Sequence, residues 1–269
     1  NGIFNHGASR IPDFRSYNNI PKSLKCVLET AAQKKIIIPQ DNHFTAFASM
    51  KTFTGYLSRD IAIQKNKEIV AANKVSSGVE LLLNDTSKLQ LNNDFLVFAI
   101  PQPQVLNLLH NHFPEILNLV QSAEMYGSIS GLFAFNEPIA FNKPFFENDH
   151  IFGFHENSRK GQNLKLDCWT IHSKKSYGKK FMHFNKDQIG ARLFTDFEHL
   201  TSSNLPQPIY SEGHRWLYGF TEKALNKNYI FHQQNKIGIC GDWCLGDNVL
   251  DATISGTLLA EKIVASDIE

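Results

Sequence analysis

The alternation of apolar and polar positions divides the chain into helical and extended stretches. "PKSLKCVLETAAQKK", Pro21 to Lys35, spaces its apolar residues by three and four behind a starting proline, which predicts a helix. "SMKTFTGYLSRDI" predicts a second helix with Ser49 as its N-cap. The period then shortens. "EIVAANKV", "GVELLLN" and the weaker "LQLNN" read as strands, with Ser76-Ser77-Gly78 as the first break, and together predict an antiparallel meander. "DFLVFAIPQPQVLNLL", Asp94 to Leu109, is an apolar run closed by two prolines: a buried strand ending at Ile100, a turn, and a helix.

The middle of the chain has another character, and the most plausible domain boundary falls there. "YGSISGLFAFNEPI", "HIFGFHE" and "LDCWTIHS" are long runs rich in aromatic and β-branched residues. A helix is predicted around Asp187 to Leu200, followed by a strand through "YSEGHRWLYGF". This pattern predicts a mixed sheet built for a substrate. The chain then returns through "YIFHQ" and "KIGIC" to a strand, a loop and a helix, the α/β type of unit.

A chain of 269 residues with 42% hydrophobic content buries a large core, as one large domain or two smaller ones. The formal charge of +1 supplies no basic field, so neither nucleic acid nor an anionic membrane surface is an expected partner. Lys174-Lys175 and Lys179-Lys180 are read as a solvated face. No apolar run reaches the roughly 18 residues of a membrane helix, and no secretory leader is recognised, so a soluble, cytoplasmic chain is expected. Cys26, Cys168, Cys240 and Cys244 are expected reduced and buried; Cys240 and Cys244 lack the partner pair of a zinc site, so no metal is expected.

The tail carries the chemistry. A strand ending at Cys240, then Gly241-Asp242, then a helix beginning near Asn248 puts helix N–H groups and a carboxylate beside one space. Such N–H groups suit a phosphate or a ring carbonyl, and the Asp242 carboxylate suits sugar hydroxyls. Ala252, Ser255, Gly256 and Ala260 keep the helix slim. On "HRWLY", alternation places His214, Trp216 and Tyr218 on one side of the strand and Arg215 and Leu217 on the other. Trp216 suits stacking on a planar heterocycle, with His214 as a hydrogen-bonding neighbour. A packed aromatic face with a core histidine and a helix that is slim for packing alone fit the same residues.

"CGDWCLGDNVLDATISGTLLAEKI" resembles the carboxy-terminal flavin motif of the FAD-dependent amine-oxidase superfamily, in particular its renalase-like branch. Four other segments are similar to the family's in the same order: "NHGASRI", "DFLVFAIPQPQ", "ENSRKG" and "HRWLYGF". The resemblance covers nearly the whole chain. It implies a discontinuous FAD-binding, Rossmann-like α/β domain over 1–11, 62–105 and 228–269, roofed by a mixed-sheet α+β substrate domain over 12–61 and 106–227. It implies cofactor contacts from Gly7, Ala8, Ser9, Pro101, Gly241, Asp242, Trp243, Asn248, Val249 and Ala252. Asp242 takes the ribityl-contacting role, and Trp243 with the Asn248-Val249 backbone lies against the ring. His214 and Trp216 are the substrate-side candidates, followed by Asn157 and His172.

Two segments depart from the family pattern. Ser9-Arg10-Ile11 replaces Gln-Tyr-Phe, so Arg10 either brings a positive charge to the flavin or turns to solvent, and Val249-Leu250-Asp251-Ala252 replaces Val-Glu-Gly-Ala. No strand-GxGxxG-helix unit is present, so the first βαβ unit of the dinucleotide fold is absent from these residues and is expected from the full-length chain. The activity implied is hydride transfer from a dihydronicotinamide substrate, a misreduced isomer of NAD(P)H, to flavin N5. Molecular oxygen then accepts the electrons and gives hydrogen peroxide. An amine oxidase of the same superfamily, or a non-catalytic binding module that has lost flavin, are the alternatives.

Overall fold

The computed structural model describes residues 4, 7–8, 10–141, 143–158, 160–201 and 204–267. The elements begin with β1 (Ile11–Pro12), α1 (Lys22–Gln33), β2 (Ile37–Gln40), β3 (His43–Ala46), α2 (Met50–Leu57), β4 (Ile69–Val75), β5 (Gly78–Leu83) and β6 (Lys88–Leu91). They continue with β7 (Leu96–Phe98), α3 (Gln102–Leu109), α4 (Pro114–Val120), β8 (Glu124–Phe135), β9 (Phe145–Glu147), β10 (Ile151–His155) and β11 (Asp167–Ser173). The last are α5 (Lys175–Lys180), α6 (Lys186–Thr201), β12 (Tyr210–Lys223), β13 (Ile230–His232), β14 (Ile237–Ile239) and α7 (Val249–Asp267). This is a mixed α/β architecture in two compact units, the first of Asn1–Asp13, Leu28–Arg59 and Tyr126–Phe220, the second of Phe14–Val27, Asp60–Met125 and Thr221–Glu269. Residues up to Asp13 thus group with the strand-rich unit, and α3 and α4 with the unit containing the tail.

The first unit is built on a five-stranded sheet in the order β12-β8-β11-β10-β9, beside a three-stranded sheet ordered β1-β3-β2. The joints of β8 with β11, β11 with β10 and β10 with β9 are all antiparallel, where a mixed sheet was expected. Alternation gives the large sheet two faces. Ile129, Phe133, Trp169 and Ile171 form a core with Ile189, Leu193 and Phe197 of α6. Each such side chain contributes about 1.5–3 kcal/mol of burial. The opposite face carries Ser130, Thr170 and His172, all buried and all polar.

The second unit holds the expected meander, β4-β5-β6, paired antiparallel, and a sheet ordered β13-β14-β7 in which β14 and β7 run parallel. Leu96 and Phe98 enter its core with Val105, Leu109, Ile237 and Ile239. The expectation of a strand buried throughout to Ile100 is corrected: β7 ends at Phe98, and Val97 is 42% exposed. An apolar run does not by itself bury both faces of a strand; here only the Leu96/Phe98 face meets the core. α7 lies close against β14, since a Cβ at Gly238 would come within 2.9 Å of Leu259.

Two local expectations also change. Ser49 occupies the N-cap position of α2 with an extended backbone, but its side chain makes no capping bond. Cys168, Cys240 and Cys244 are buried free thiols, whereas Cys26 is exposed. The buried stripe of α1 runs through Leu24, Leu28 and Ala31, and Cys26 lies off it. Among the described residues, no helix is long and apolar enough to cross a membrane.

Candidate functional site

The turn between β14 and α7 is tied down at both ends. Cys240 N–H donates to Phe98 O at 3.0 Å, fixing the end of β14 against β7, and Gly241 N–H donates to the buried Ser255 hydroxyl of α7 at 3.2 Å. Asp242 then opens a short 3-10 turn, Asp242–Cys244, and its Oδ1 accepts from Trp243 N–H at 2.9 Å. Burial pushes the Asp242 carboxyl above the ordinary aspartate value, against the pull of the Trp243 N–H, and the nearby Asp247 and Asp251 push the same way. Among the described residues no cation contributes to holding its charge, and a half-buried carboxylate so placed is costly, which makes it a candidate for binding.

The helix start serves itself. Asn248 Oδ1 accepts from Leu250 N–H at 2.9 Å and from Asp251 N–H at 3.1 Å, and Ala252 N–H donates to Asn248 O at 3.2 Å. Asp251 Oδ2 reaches back to Asp247 N–H at 3.2 Å and to Asn248 Nδ2 at 2.5 Å. Asn248 is the N-cap, and Asp251 at the third helical position accepts in return from the preceding residue's amide and from the cap side chain. The amides of Leu250, Asp251 and Ala252 are thus engaged within the protein. Asp251 thereby supplies the carboxylate that ties Asp247 and Asn248 to the first turn of α7. Val249 and Ala252 are half-buried beside this cap.

Trp243 follows Asp242 in the same turn. Its ring is 1% exposed within the second core, and Nε1 donates to Ile100 O at 3.0 Å while its own carbonyl accepts from Leu225 N–H at 2.9 Å. The indole thereby clamps the turn that leads into Pro101, the residue preceding α3, and presents no face for stacking.

In the first unit, three of the four substrate-side candidates gather. Ser130 of β8 and His172 of β11 are cross-strand partners, and Ser130 Oγ lies 2.8 Å from His172 Nδ1. Trp216 of the neighbouring β12 donates from Nε1 to the same Ser130 Oγ at 3.1 Å. Since indole is a donor only, the serine oxygen accepts from the tryptophan. His214 meets the Trp216 ring edge-on, with centroids 4.3 Å apart, and Phe152 stacks on His172 at 5.0 Å. The expected alternation of β12 holds, with His214, Trp216 and Tyr218 half-buried and Arg215 and Leu217 exposed. Ser130 was missed from the sequence; its trace there is a serine at every second place, Ser128 and Ser130, inside an apolar strand.

Asn157 is not brought to this group. Its Nδ2 donates to Leu166 O and its Oδ1 accepts from Cys168 N–H, both at 2.8 Å, so the side chain staples the loop before β11. Gly7 and Ala8 are exposed, and a Cβ at Gly7 would meet Trp216 at 3.6 Å, an ordinary contact, so this position needs no glycine for packing. Ser9 lies outside the described residues. Arg10 is half-buried and turns to neither of its expected places within this unit, because its guanidinium lies over the Phe145 ring, 3.8 Å from the centroid.

No family model matches the chain. Among solved structures, the fold is similar to that of a "Putative protoporphyrinogen oxidase from Exiguobacterium sp. 255-15", with a TM-score of 0.57 and 12% identity. The match covers 85% of this chain and 54% of the other, so the chain spans about half the length of the structure it resembles. At that identity the likeness is one of fold.

Proposed function

We propose that the chain is a renalase-like, FAD-dependent oxidoreductase acting on dihydronicotinamide substrates. The observation that carries this reading is the β14–Gly241-Asp242–α7 turn, which holds a half-buried carboxyl, pushed above its ordinary pKa, where the sequence resemblance puts the ribityl-contacting acid. The fold shared with a protein titled an oxidase supports the same class.

The residues fit a flavin in part. Asp242 would be the acceptor for ribityl hydroxyls, Gly241 precedes it, the Trp243 indole ties the turn to Ile100 just ahead of Pro101, and Ala252 with Gly256 keeps α7 narrow. A Cβ at Gly256 would meet only Cys240 Sγ, at 4.0 Å, so the small residue leaves room there. Asn248 acts on the helix as its cap rather than on the cofactor. When bound, the flavin supplies a two-electron acceptor that molecular oxygen regenerates with release of hydrogen peroxide. On the substrate side, Trp216 stacks on the planar dihydropyridine, and Ser130 fixes the tilt of its indole. His214 donates to or accepts from the substrate's polar edge. None of these groups needs to move a proton, because the donor delivers a hydride.

The test is the visible spectrum of protein incubated with FAD and freed of excess by gel filtration, then mixed anaerobically with isomers of dihydronicotinamide nucleotides. Retained flavin that bleaches within seconds supports the proposal. Protein that stays colourless, or flavin that binds and remains oxidised with every isomer, overturns it.

A further inference from the structure

Ser130 and His172 form the last pair of the β8–β11 ladder, and just beyond it the Ile129 N–H donates to the Ser173 hydroxyl at 3.1 Å. The two side chains stand side by side on the polar face of the sheet, the serine 0% and the histidine 6% exposed. The imidazole is held in place, because Phe152 stacks on it with planes 27° apart and Phe154 meets it edge-on at 6.1 Å. The neighbouring Thr170 hydroxyl takes no part, since it donates to Glu156 Oε1 at 2.7 Å.

The direction of the bonds follows from counting protons. A hydroxyl has one proton to give and two lone pairs. Among the described residues Ser130 Oγ has two partners, Trp216 Nε1 at 3.1 Å and His172 Nδ1 at 2.8 Å. The indole can only donate, so the first bond uses a serine lone pair. If Nδ1 also carried a proton, the second bond would use the other lone pair, and the serine O–H would lie wholly buried without an acceptor, the costlier arrangement. The serine therefore gives its proton to Nδ1, and His172 carries its own on Nε2. The bonds run one way, from Trp216 through Ser130 to His172, and each strengthens the next.

We infer that His172 is a positioning residue for Trp216. As the neutral Nε2–H tautomer it takes the Ser130 proton, which turns a serine lone pair to the indole and fixes the plane of that ring. His172 is the buried end of this chain of bonds and Trp216 the half-buried end, so the orientation is set inside the sheet and used at its surface. The consequence for a substrate rests on the proposed function: an indole held in one plane is organised in advance for a flat dihydropyridine, and loosening it weakens binding more than turnover.

The test is nitrogen-15 NMR of the full chain without added flavin, so its outcome does not depend on the oxidoreductase reading. The three indole N–H signals report three separate bonds, from Trp169 to Asp167, from Trp243 to Ile100 and from Trp216 to Ser130. Near neutral pH the wild-type His172 ring is expected to show a proton on Nε2 and a bare Nδ1. His172→Phe keeps a ring against Phe152 but offers no acceptor, and should speed solvent exchange of the Trp216 N–H about fivefold, the size of one lost neutral hydrogen bond, with Trp169 and Trp243 unchanged. His172→Asn, which puts an acceptor oxygen where Nδ1 stands, should return that exchange to within about twofold of wild type. A wild-type His172 with its proton on Nδ1, or a Trp216 N–H that exchanges alike in the Phe and Asn variants, overturns the inference; the wild-type tautomer decides alone where His172→Phe fails to fold. In protein that holds flavin and turns over, His172→Phe should raise KM with little change in kcat and His172→Asn should restore it, and an unchanged KM likewise overturns the inference. Protein that never holds flavin removes the oxidoreductase reading and leaves the tautomer and exchange results standing.

Discussion

Asp167 is a buried carboxyl and Asp242 a half-buried one, and their surroundings drive them in opposite directions. Burial pushes Asp167 up, but the bonds from His155 Nε2, Ile139 N–H at 3.0 Å and Trp169 Nε1 at 3.1 Å outweigh it and hold the group below its ordinary value of 3.8. An acid whose folded pKa is depressed stabilises the fold above the unfolded value and loses that contribution as pH falls through the folded one. Urea unfolding should accordingly show the Asp167 contribution intact above about pH 5 and shrinking below 3.8. Asp167→Ala leaves two buried donors and the half-buried His155 without their acceptor and should cost about 3–5 kcal/mol near neutral pH. Asp242 has the opposite sign. Its raised folded pKa means that the native state holds its proton to higher pH than the unfolded chain, so stability falls as pH rises through that window. Asp242→Asn should therefore raise the stability of the flavin-free protein at pH 7 by about 1 kcal/mol, with the gain vanishing near pH 3; under the proposed function it should also abolish flavin retention. A variant that is destabilised at pH 7 would remove the argument that this carboxylate is kept for binding.

At the scale of elements, the sequence marks where α7 starts but not what its first turn is for. Asn248 and Asp251 satisfy the amides that an anion would otherwise find, and the alternation of polar and small residues in "GDNVLDATISG" is compatible with either use. Asn248→Ala should lower stability by about 1 kcal/mol in chemical denaturation, and Asn248→Ser, which keeps a cap acceptor and puts no new charge beside Asp251, by far less. β7 teaches a related lesson. Its composition announced a strand, and its helix-breaking prolines announced the turn, but the exposure of Val97 depends on which neighbours cover each face. The five-stranded sheet was legible strand by strand because β-branched and aromatic residues cluster in β8, β10, β11 and β12. The pairing of Ser130 with His172 was not, since register is a relation between distant strands that no local window contains.

Across the whole molecule, the two units make different use of their tryptophans. Trp169 and Trp243 are 0% and 1% exposed, one in each core, whereas Trp216 is half-buried on the polar-lined face of the large sheet. Acrylamide should thus quench mainly one emitter, and Trp216→Phe should remove most of the quenchable fluorescence while leaving the protected fraction; two strongly quenched populations surviving in that variant would contradict the assignment. The amino-acid sequence by itself determined the elements, the alternation of β12 and the strand-turn-helix order at the tail, because period, proline and glycine act over a few residues. Only the tertiary structure decided that Trp243 is a core clamp, that Asn157 staples a loop and that Asn248 caps a helix. It likewise brought Ser130 between Trp216 and His172 and laid Arg10 on Phe145. Those outcomes turn on which side chains compete for the same donors and the same buried space, and that competition is settled only when segments far apart in the chain are packed together.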